Sequence, residues 1–263
     1  MGSATREALA QARATLDSTD AVTLATGEAL LVAARAINAS PALRAVLADP
    51  VVEFDRKSTL IASIFGSLGE PAVTLLRGIA ESRWSNPAQL IDGIEEIGIR
   101  AIARSTGGDA GIESELFEFS RVVSQNPSLE LAIGSKLGDS ESRVALVDAL
   151  LSGEADPATV AIVHHLVQSP RGRRIGALLA TAADIVADAA GAVVATITAA
   201  DEPSAAQLDT LKSLITSQYG RTPRFNLIVD PELVGGLRVQ VGDQVVDGSI
   251  AARLADLRLR LVG

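Results

Sequence analysis

Few residues in this chain are of types that do covalent chemistry. It holds two histidines, His164 and His165, and acidic pairs such as Glu95-Glu96 and Asp201-Glu202 with no nucleophile or further histidine nearby in the sequence. Adjacent histidines on a helix point about 100° apart, so they do not chelate one ion together. The expectation is one ring in a core and one facing solvent. Asp139, Glu141 and Asp148 lack the spacing of a calcium loop. With no cysteine there is neither a disulfide framework nor a thiolate nucleophile. Gly66-Ser67-Leu68-Gly69 has the form of a nucleic-acid clamp, but it follows a helical stretch in an acidic chain and reads as a helix stop. Gly235-Gly236 leads into a strand pattern with no Gly-Lys-Ser/Thr after it, which excludes a phosphate loop. Arg171-Gly172-Arg173-Arg174 suits a solvated helix entry, or a grip on an anion or an acidic partner helix. No catalytic, cofactor-binding or metal-ligating set emerges, and no cofactor is expected.

The elements that would position any site are mostly helical. Hydrophobic residues make up 48% of the 263 but aromatics only 3%, so the apolar weight lies in Ala, Leu, Val and Ile, which suit close-packed helices. A net charge of −9 argues against a nucleic-acid partner. The most apolar window, Ala177 to Val194, is interrupted by Asp184 and Asp188, so direct membrane insertion is not expected. The first residues lack the basic and apolar regions of a secretory signal. Any tie to a membrane is expected to pass through a partner.

In chain order, helical spacing predicts helices over 4–16 and 21–38, the latter with Leu30, Ala34 and Ile37 on one face. Ser40-Pro41 opens a short third helix. A fourth runs from Asp55 with Leu60, Ile61, Ile64, Phe65 and Leu68 in line. Pro71 opens a fifth and Asn86-Pro87 a sixth, through Leu90, Ile94 and Ile97. Six helices with short connections make a compact bundle. The pattern then restarts: Arg35 and Arg121, Pro41 and Pro127, Leu43 and Leu129, Lys57 and Arg143, Leu60 and Leu146, Pro71 and Pro157 each stand 86 residues apart. That register marks an internal duplication of a helical unit, with helices expected over 112–124, 127–133, 141–151, 158–168 and 172–190.

After Gly191 the period switches to two. Val193, Ala195 and Ile197 alternate with Val194, Thr196 and Thr198 as a strand. Ser204 to Gln207 has capping-box form and opens a helix that Gly220 closes. Phe225, Leu227 and Val229 form a second strand, ended by Asp230-Pro231. Leu237, Val239 and Val241 lead into Gly242-Asp243, a two-residue hairpin turn before Gln244-Val245-Val246. Ser249 then caps a last helix with Ile250, Leu254, Leu257 and Leu261 on one face. The fold class is therefore mainly α: two tandem helical-bundle units, 1–107 and 108–190, followed by a small α/β domain, 191–263.

The C-terminal residues also carry a resemblance. Asp230, Pro231, Leu233, Gly235 and Gly236, then Gly242 and Asp243, then Asp247, Gly248 and Ser249, resemble the fingerprint of the delta subunit of bacterial F-type ATP synthase and its mitochondrial relative, the oligomycin-sensitivity-conferring protein. Each helical copy is more weakly similar to the family's helical domain, and the extra copy is a departure from the common single-bundle arrangement. The resemblance implies a non-catalytic stator subunit, peripheral at the cytoplasmic face of the cell membrane. Its partners would be the alpha subunits of the catalytic head and the b-type stalk subunits, so that proton-driven rotation is coupled to ATP synthesis. An enzyme with an unrecognised site and an α/β lid is the alternative.

In the resembled family the first and fifth helices of the bundle hold an alpha-subunit segment. The fifth helix of copy two offers Ala158, Ala161 and Leu166 for such a contact, and that of copy one offers Ala72, Gly78 and Ala80. Copy two is preferred, because it adjoins the α/β domain as the single copy does in the family.

Overall fold

The computed structural model describes residues 2–107, 111–134, 139–151, 153–231, 233, 236–242 and 244–247. Their chain contacts divide into two compact units, 1–186 and 187–263. The first holds helices α1 (Ser3–Ser18), α2 (Leu24–Ala39), α3 (Pro41–Ala48), α4 (Phe54–Phe65), α5 (Glu70–Glu81), α6 (Pro87–Ser105), α7 (Ile112–Gln125), α8 (Pro127–Gly134), α9 (Ser140–Leu151) and α10 (Pro157–Gln168). Helix α11 (Ile175–Ala189) runs through the boundary.

Local chemistry sets most of these starts. The Ser40 hydroxyl accepts from the Leu43 N–H, and the Asn86 amide oxygen from the Gln89 N–H, each ahead of a proline in the first turn. Thr23 and Thr26 form a reciprocal capping box that starts α2 three residues after Ala21, where periodicity alone placed it. Between α4 and α5, Gly66–Leu68 make a single 3-10 turn and Gly69, at φ 89°, ends it, so the Gly-Ser-Leu-Gly run is a helix stop.

The duplication is visible in the helix bounds. Pro41–Ala48 recurs as Pro127–Gly134 and Phe54–Phe65 as Ser140–Leu151, both 86 residues on. The two copies are not separate beads. Leu90, Ile91, Ile94, Ile97 and Ala101 of α6 pack in one core with Leu9, Leu30, Ile37, Leu76 and Ile79. Ile99, Ile102 and Ala103 of the same helix pack in a second core with Leu116, Ile162, Leu166 and Leu179. Leu31 of α2 also enters the second core. Helices α2 and α6 approach closely because glycines face each other: a Cβ on Gly27 would lie 2.4 Å from Ile102 Cγ1 and 2.7 Å from the Gly98 carbonyl oxygen. Each fully buried Leu or Ile contributes about 1.5–3 kcal/mol, so a helix serving two cores ties the bundles together strongly.

Two details depart from the periodicity. Ile64 is 47% exposed, although it stands in the apolar run of α4, because the buried face of that helix runs through Lys57, Ile61 and Phe65. Helix α11 starts at Ile175, three residues later than the expected Gly172. Arg171 (φ 49°) and Gly172 (φ 78°) are left-handed, and Arg173 N–H closes a turn onto the Pro170 carbonyl, so the chain is not helical there.

The second unit carries β1 (Ala192–Ala199), α12 (Ala205–Tyr219), β2 (Thr222–Val229), β3 (Leu237–Val241) and β4 (Gln244–Asp247) in a sheet of order β2-β1-β3-β4. Strand β1 is parallel to β2 and antiparallel to β3, and β3 is antiparallel to β4. Its core is small: Ala195, Ile197, Ile215, Val239 and Val241, with Leu208, Leu211, Phe225 and Leu227 packed at the side. Ser204 and Gln207 cap α12, and Gly220, at φ 68°, ends it. The helix expected from Ser249 lies outside the described residues.

Candidate functional site

The densest polar structure in the helical unit is a buried joint between the two copies. His165 on α10 is 1% exposed and lies between Arg35 of α2 and Glu95 of α6. An Arg35 guanidinium nitrogen is 2.9 Å from His165 Nδ1, and His165 Nε2 is 3.1 Å from Glu95 Oε1. A guanidinium only donates, so Nδ1 must accept and the proton sits on Nε2, which donates to Glu95. His165 is thus a neutral relay. Burial lowers its pKa first of all; Glu95 opposes that shift, while the positive charges of Arg35 and Arg171 reinforce it.

Glu95 is the acceptor on which the joint converges. Arg171 binds it directly and also reaches Asp92 Oδ1 at 2.6 Å, while Arg173 meets Glu95 Oε2 at 3.1 Å. Burial alone would raise the Glu95 pKa, but the His165 hydrogen bond and the charges of Arg171 and Arg173 outweigh it and hold the carboxyl below its ordinary range. The basic run 171–174 therefore grips an acidic helix, and that helix is the chain's own α6. Of the two histidines one is in the core, as expected; His164, with its side chain 27% exposed, is at the surface, 2.7 Å from Asp148. Sequence periodicity placed the rings but not the partners of His165, which lie 70 and 130 residues away in the chain.

Further ties hold the helix ends. Glu130 of α8 accepts from the Ile175 and Gly176 N–H groups at 2.6 and 3.0 Å, capping α11 from another helix. Lys57, 4% exposed, donates to the Ala80 carbonyl at the end of α5, which gives this buried amine a structural role; burial lowers its pKa, with Asp49 opposing.

Two of the clefts on the bundles bear on partner contact. One, of about 440 Å³, lies between α1 and the end of α5, edged by Ser3, Ala4, Glu7, Gln11, Ser82 and Arg83. The other, of about 450 Å³, lies among α2, α9 and α10, edged by Glu28, Asp148, Leu151, Val160, Ala161 and His164. Of the residues expected to contact a partner, Ala161 lines this second cleft. Ala158 and Leu166 do not reach the surface: they are 1% and 3% exposed and belong to the second core, because α10 turns that face inward. Ala72 and Ala80 are similarly buried in the first core, and Gly78 lies beneath Thr15 of α1, 3.7 Å from an added Cβ.

Around the C-terminal fingerprint, the Asp230 N–H donates to the Ala199 carbonyl at the end of β1, and the Leu233 N–H donates back to Asp230. Pro231 sits at the turn, Gly236 has φ 86° and Gly242 φ 56°, both left-handed, and Asp247 pairs opposite Arg238. Gly235, Asp243, Gly248 and Ser249 lie outside the described residues. The described part of the fingerprint thus ends one strand and turns a hairpin. It brings no nucleophile, acid or base together.

Two tandem helical bundles joined through a shared helix, followed by a small mixed-sheet unit, define a mainly helical scaffold. Residues 99–261 match the family model described as ATP synthase delta (OSCP) subunit. The chain is 44% identical over 264 residues to the ATP synthase subunit delta of Leifsonia xyli subsp. xyli, covering 100% of both chains. It is 40% identical to that of Streptomyces avermitilis over 98% of this chain and 97% of the other. A chain of the Toxoplasma gondii mitochondrial ATP synthase hexamer overlays at TM-score 0.39 and 18% identity, covering 63% of this chain and 97% of that one, too loosely to carry an argument. The chain belongs to the ATP synthase delta (OSCP) subunit family.

Proposed function

We propose that this chain is a non-catalytic stator subunit in the peripheral stalk of an F-type ATP synthase, linking the top of the catalytic head to the b-type stalk subunits. The observation that carries this reading is the joint of α2, α6 and α10, set in a chain of this family. A stator transmits torque without yielding, and a helix shared by two cores, locked by a buried ionic relay, resists rotation of one bundle against the other. Held in this way, the head stays still while the central rotor turns, which couples proton-driven rotation to ATP synthesis.

The working division is 1–107, 108–190 and 191–263, with the helical segments contacting alpha subunits and the α/β segment the stalk. The protein sits peripherally, on the cytoplasmic face of the cell membrane. Among the described residues no single helix is long and apolar enough to cross a bilayer, which fits attachment through partners. Docking of an alpha-subunit segment is assigned to the second bundle. Support comes from the family model, whose match begins at residue 99 within α6 and so takes in α7–α11 and the second unit.

Binding of an alpha-subunit N-terminal peptide, measured by calorimetry on folded variants, tests the docking. Ala161→Arg is expected to weaken binding by at least ~2 kcal/mol, because the long side chain fills the cleft the segment would occupy. Since Gly78 is covered by α1, the comparison belongs at Ala4, on the rim of the first cleft, and Ala4→Arg is expected to leave binding unchanged. Loss with Ala4→Arg and none with Ala161→Arg would move the docking site to the first bundle.

A further inference from the structure

The joint between the two copies is rich in donors. Arg35 of α2, the His165 Nε2–H, Arg171 and Arg173 all give protons, and they share the oxygens of Glu95 and Asp92 and the His165 Nδ1 lone pair. Arg171 Nε is already a buried donor with no acceptor among the described residues. His165 Nδ1 is the acceptor through which α10 holds the Arg35 guanidinium of α2, at 2.9 Å. A proton on Nδ1 would set two donors and two positive charges face to face there, with no lone pair between them. The same proton strengthens the other side of the ring, where Nε2–H meets the Glu95 carboxylate. Protonation thus breaks the tie to α2 and keeps the tie to α6. Solvent reaches the rim of the joint, where the side chains of Asp92 and Arg173 are 48% and 39% exposed.

We infer that this joint is a proton-operated latch: uptake of one proton at His165 releases α10 from α2, and the second bundle swings off α2 about its remaining hold on Glu95. This goes beyond the stalk reading and takes from it only the consequence, a stator that grows more compliant as its surroundings acidify. The groups around the ring fix the sign. Burial opposes the proton most, Arg35 from α2 and Arg171 after α10 oppose it too, and Glu95 from α6 favours it. Arg173 and Asp92 stand behind Glu95 and Arg171. Two further carboxylates beside α10 are engaged elsewhere, Asp148 of α9 with His164 and Glu115 of α7 with Thr159 and the Asp156 N–H. The closed joint therefore binds the proton more weakly than a solvated histidine does, and acid favours the open one. Below an ordinary histidine pKa of about 6.5 the open fraction rises by up to about tenfold per pH unit; above it the opening is independent of this proton.

Two adjacent residues of α2 supply the test. Leu31, one helical turn before Arg35, is 1% exposed and packs in the second core, whereas Leu30 is 0% exposed and packs in the first. The chain has no cysteine, so Leu31→Cys and Leu30→Cys each carry a single thiol. Labelling by a pyridyl disulfide is followed at pH 7.5 and 5.5, each rate divided by that of Val51→Cys, at an 86% exposed residue, at the same pH. Urea unfolding of each variant gives the rate expected if labelling requires the whole helical unit to unfold. Position 30 is expected to label at that rate, and position 31 at least about tenfold faster than its own. The rate at position 31 is further expected to rise severalfold, to about tenfold at most, from pH 7.5 to 5.5, and His165→Gln to remove that rise. Labelling at position 31 no faster than global unfolding allows would overturn the latch. So would a rise with acid of less than about twofold, or one that persists in His165→Gln. The labelling uses the full-length chain by itself, so each of these failures leaves the stalk reading in place.

Discussion

Arg35 has only protons to give, so His165 can complete the joint only as a neutral ring with its proton on Nε2. The unfolded chain takes up a proton at an ordinary histidine pKa of about 6.5, while the folded one resists until lower pH. Stability of the helical unit is therefore full above that value and falls as the solution is acidified below it. Glu95 adds a second loss in the same direction, below an ordinary value of 4.5, because its folded pKa is lowered. Urea unfolding at pH 7.5 and 5.5 should show lower stability at the acid end. His165→Gln keeps one donor and one acceptor without titrating and should flatten that slope; an unchanged slope would place the titration elsewhere. Removing the central acceptor is more severe. Glu95→Ala leaves the buried His165 Nε2–H without its acceptor and half-buried Arg171 without its counter-charge, and is expected to cost about 1–3 kcal/mol. Arg13→Ala, at a residue whose side chain is 44% exposed, should cost under about 1 kcal/mol in the same assay. The burial of one histidine was legible from helical geometry. Its partners were not, since periodicity is a local signal and carries no information on which helices meet.

Among the elements, the helix starts were the most legible part. Prolines after Ser40, Asn86 and Asp156, and the Ser204 capping box, are local chemistry that tertiary context did not override. The double duty of α6 was hidden because Leu90, Ile94 and Ile97 already made one satisfactory apolar face. Ile99, Ile102 and Ala103 form a second that only tandem packing uses. The close crossing of α2 and α6 gives a direct test. Gly27→Val forces a side chain into Ile102 and the Gly98 carbonyl and should destabilise the helical unit by about 1–3 kcal/mol. In the α/β unit the argument is conformational. Gly236, at φ 86°, sits where a Cβ is penalised, so Gly236→Val is expected to cost about 1–3 kcal/mol. A melting curve for that unit unmoved by the substitution would show that the turn accepts a side chain.

For the whole molecule, the C-terminal fingerprint points to the family from the sequence alone, and relatives aligned over the full chain agree. Sequence could not show that the copies share a helix, nor that Ala158 and Leu166 face inward while Ala161 faces a cleft. Those depend on the rotation of α10 about its own axis, which a continuous apolar run such as Val160 to Val167 leaves open. No catalytic constellation forms among the described residues, which leads to one negative expectation. The isolated chain should show no saturable nucleotide binding in calorimetry at micromolar affinity, about −8 kcal/mol. The stator account is tested most directly in membrane vesicles whose ATP synthase has been stripped of this chain. It predicts that the catalytic head still hydrolyses ATP, that ATP-driven proton pumping is lost, and that adding the purified chain restores pumping. Undiminished pumping in the stripped vesicles would contradict it.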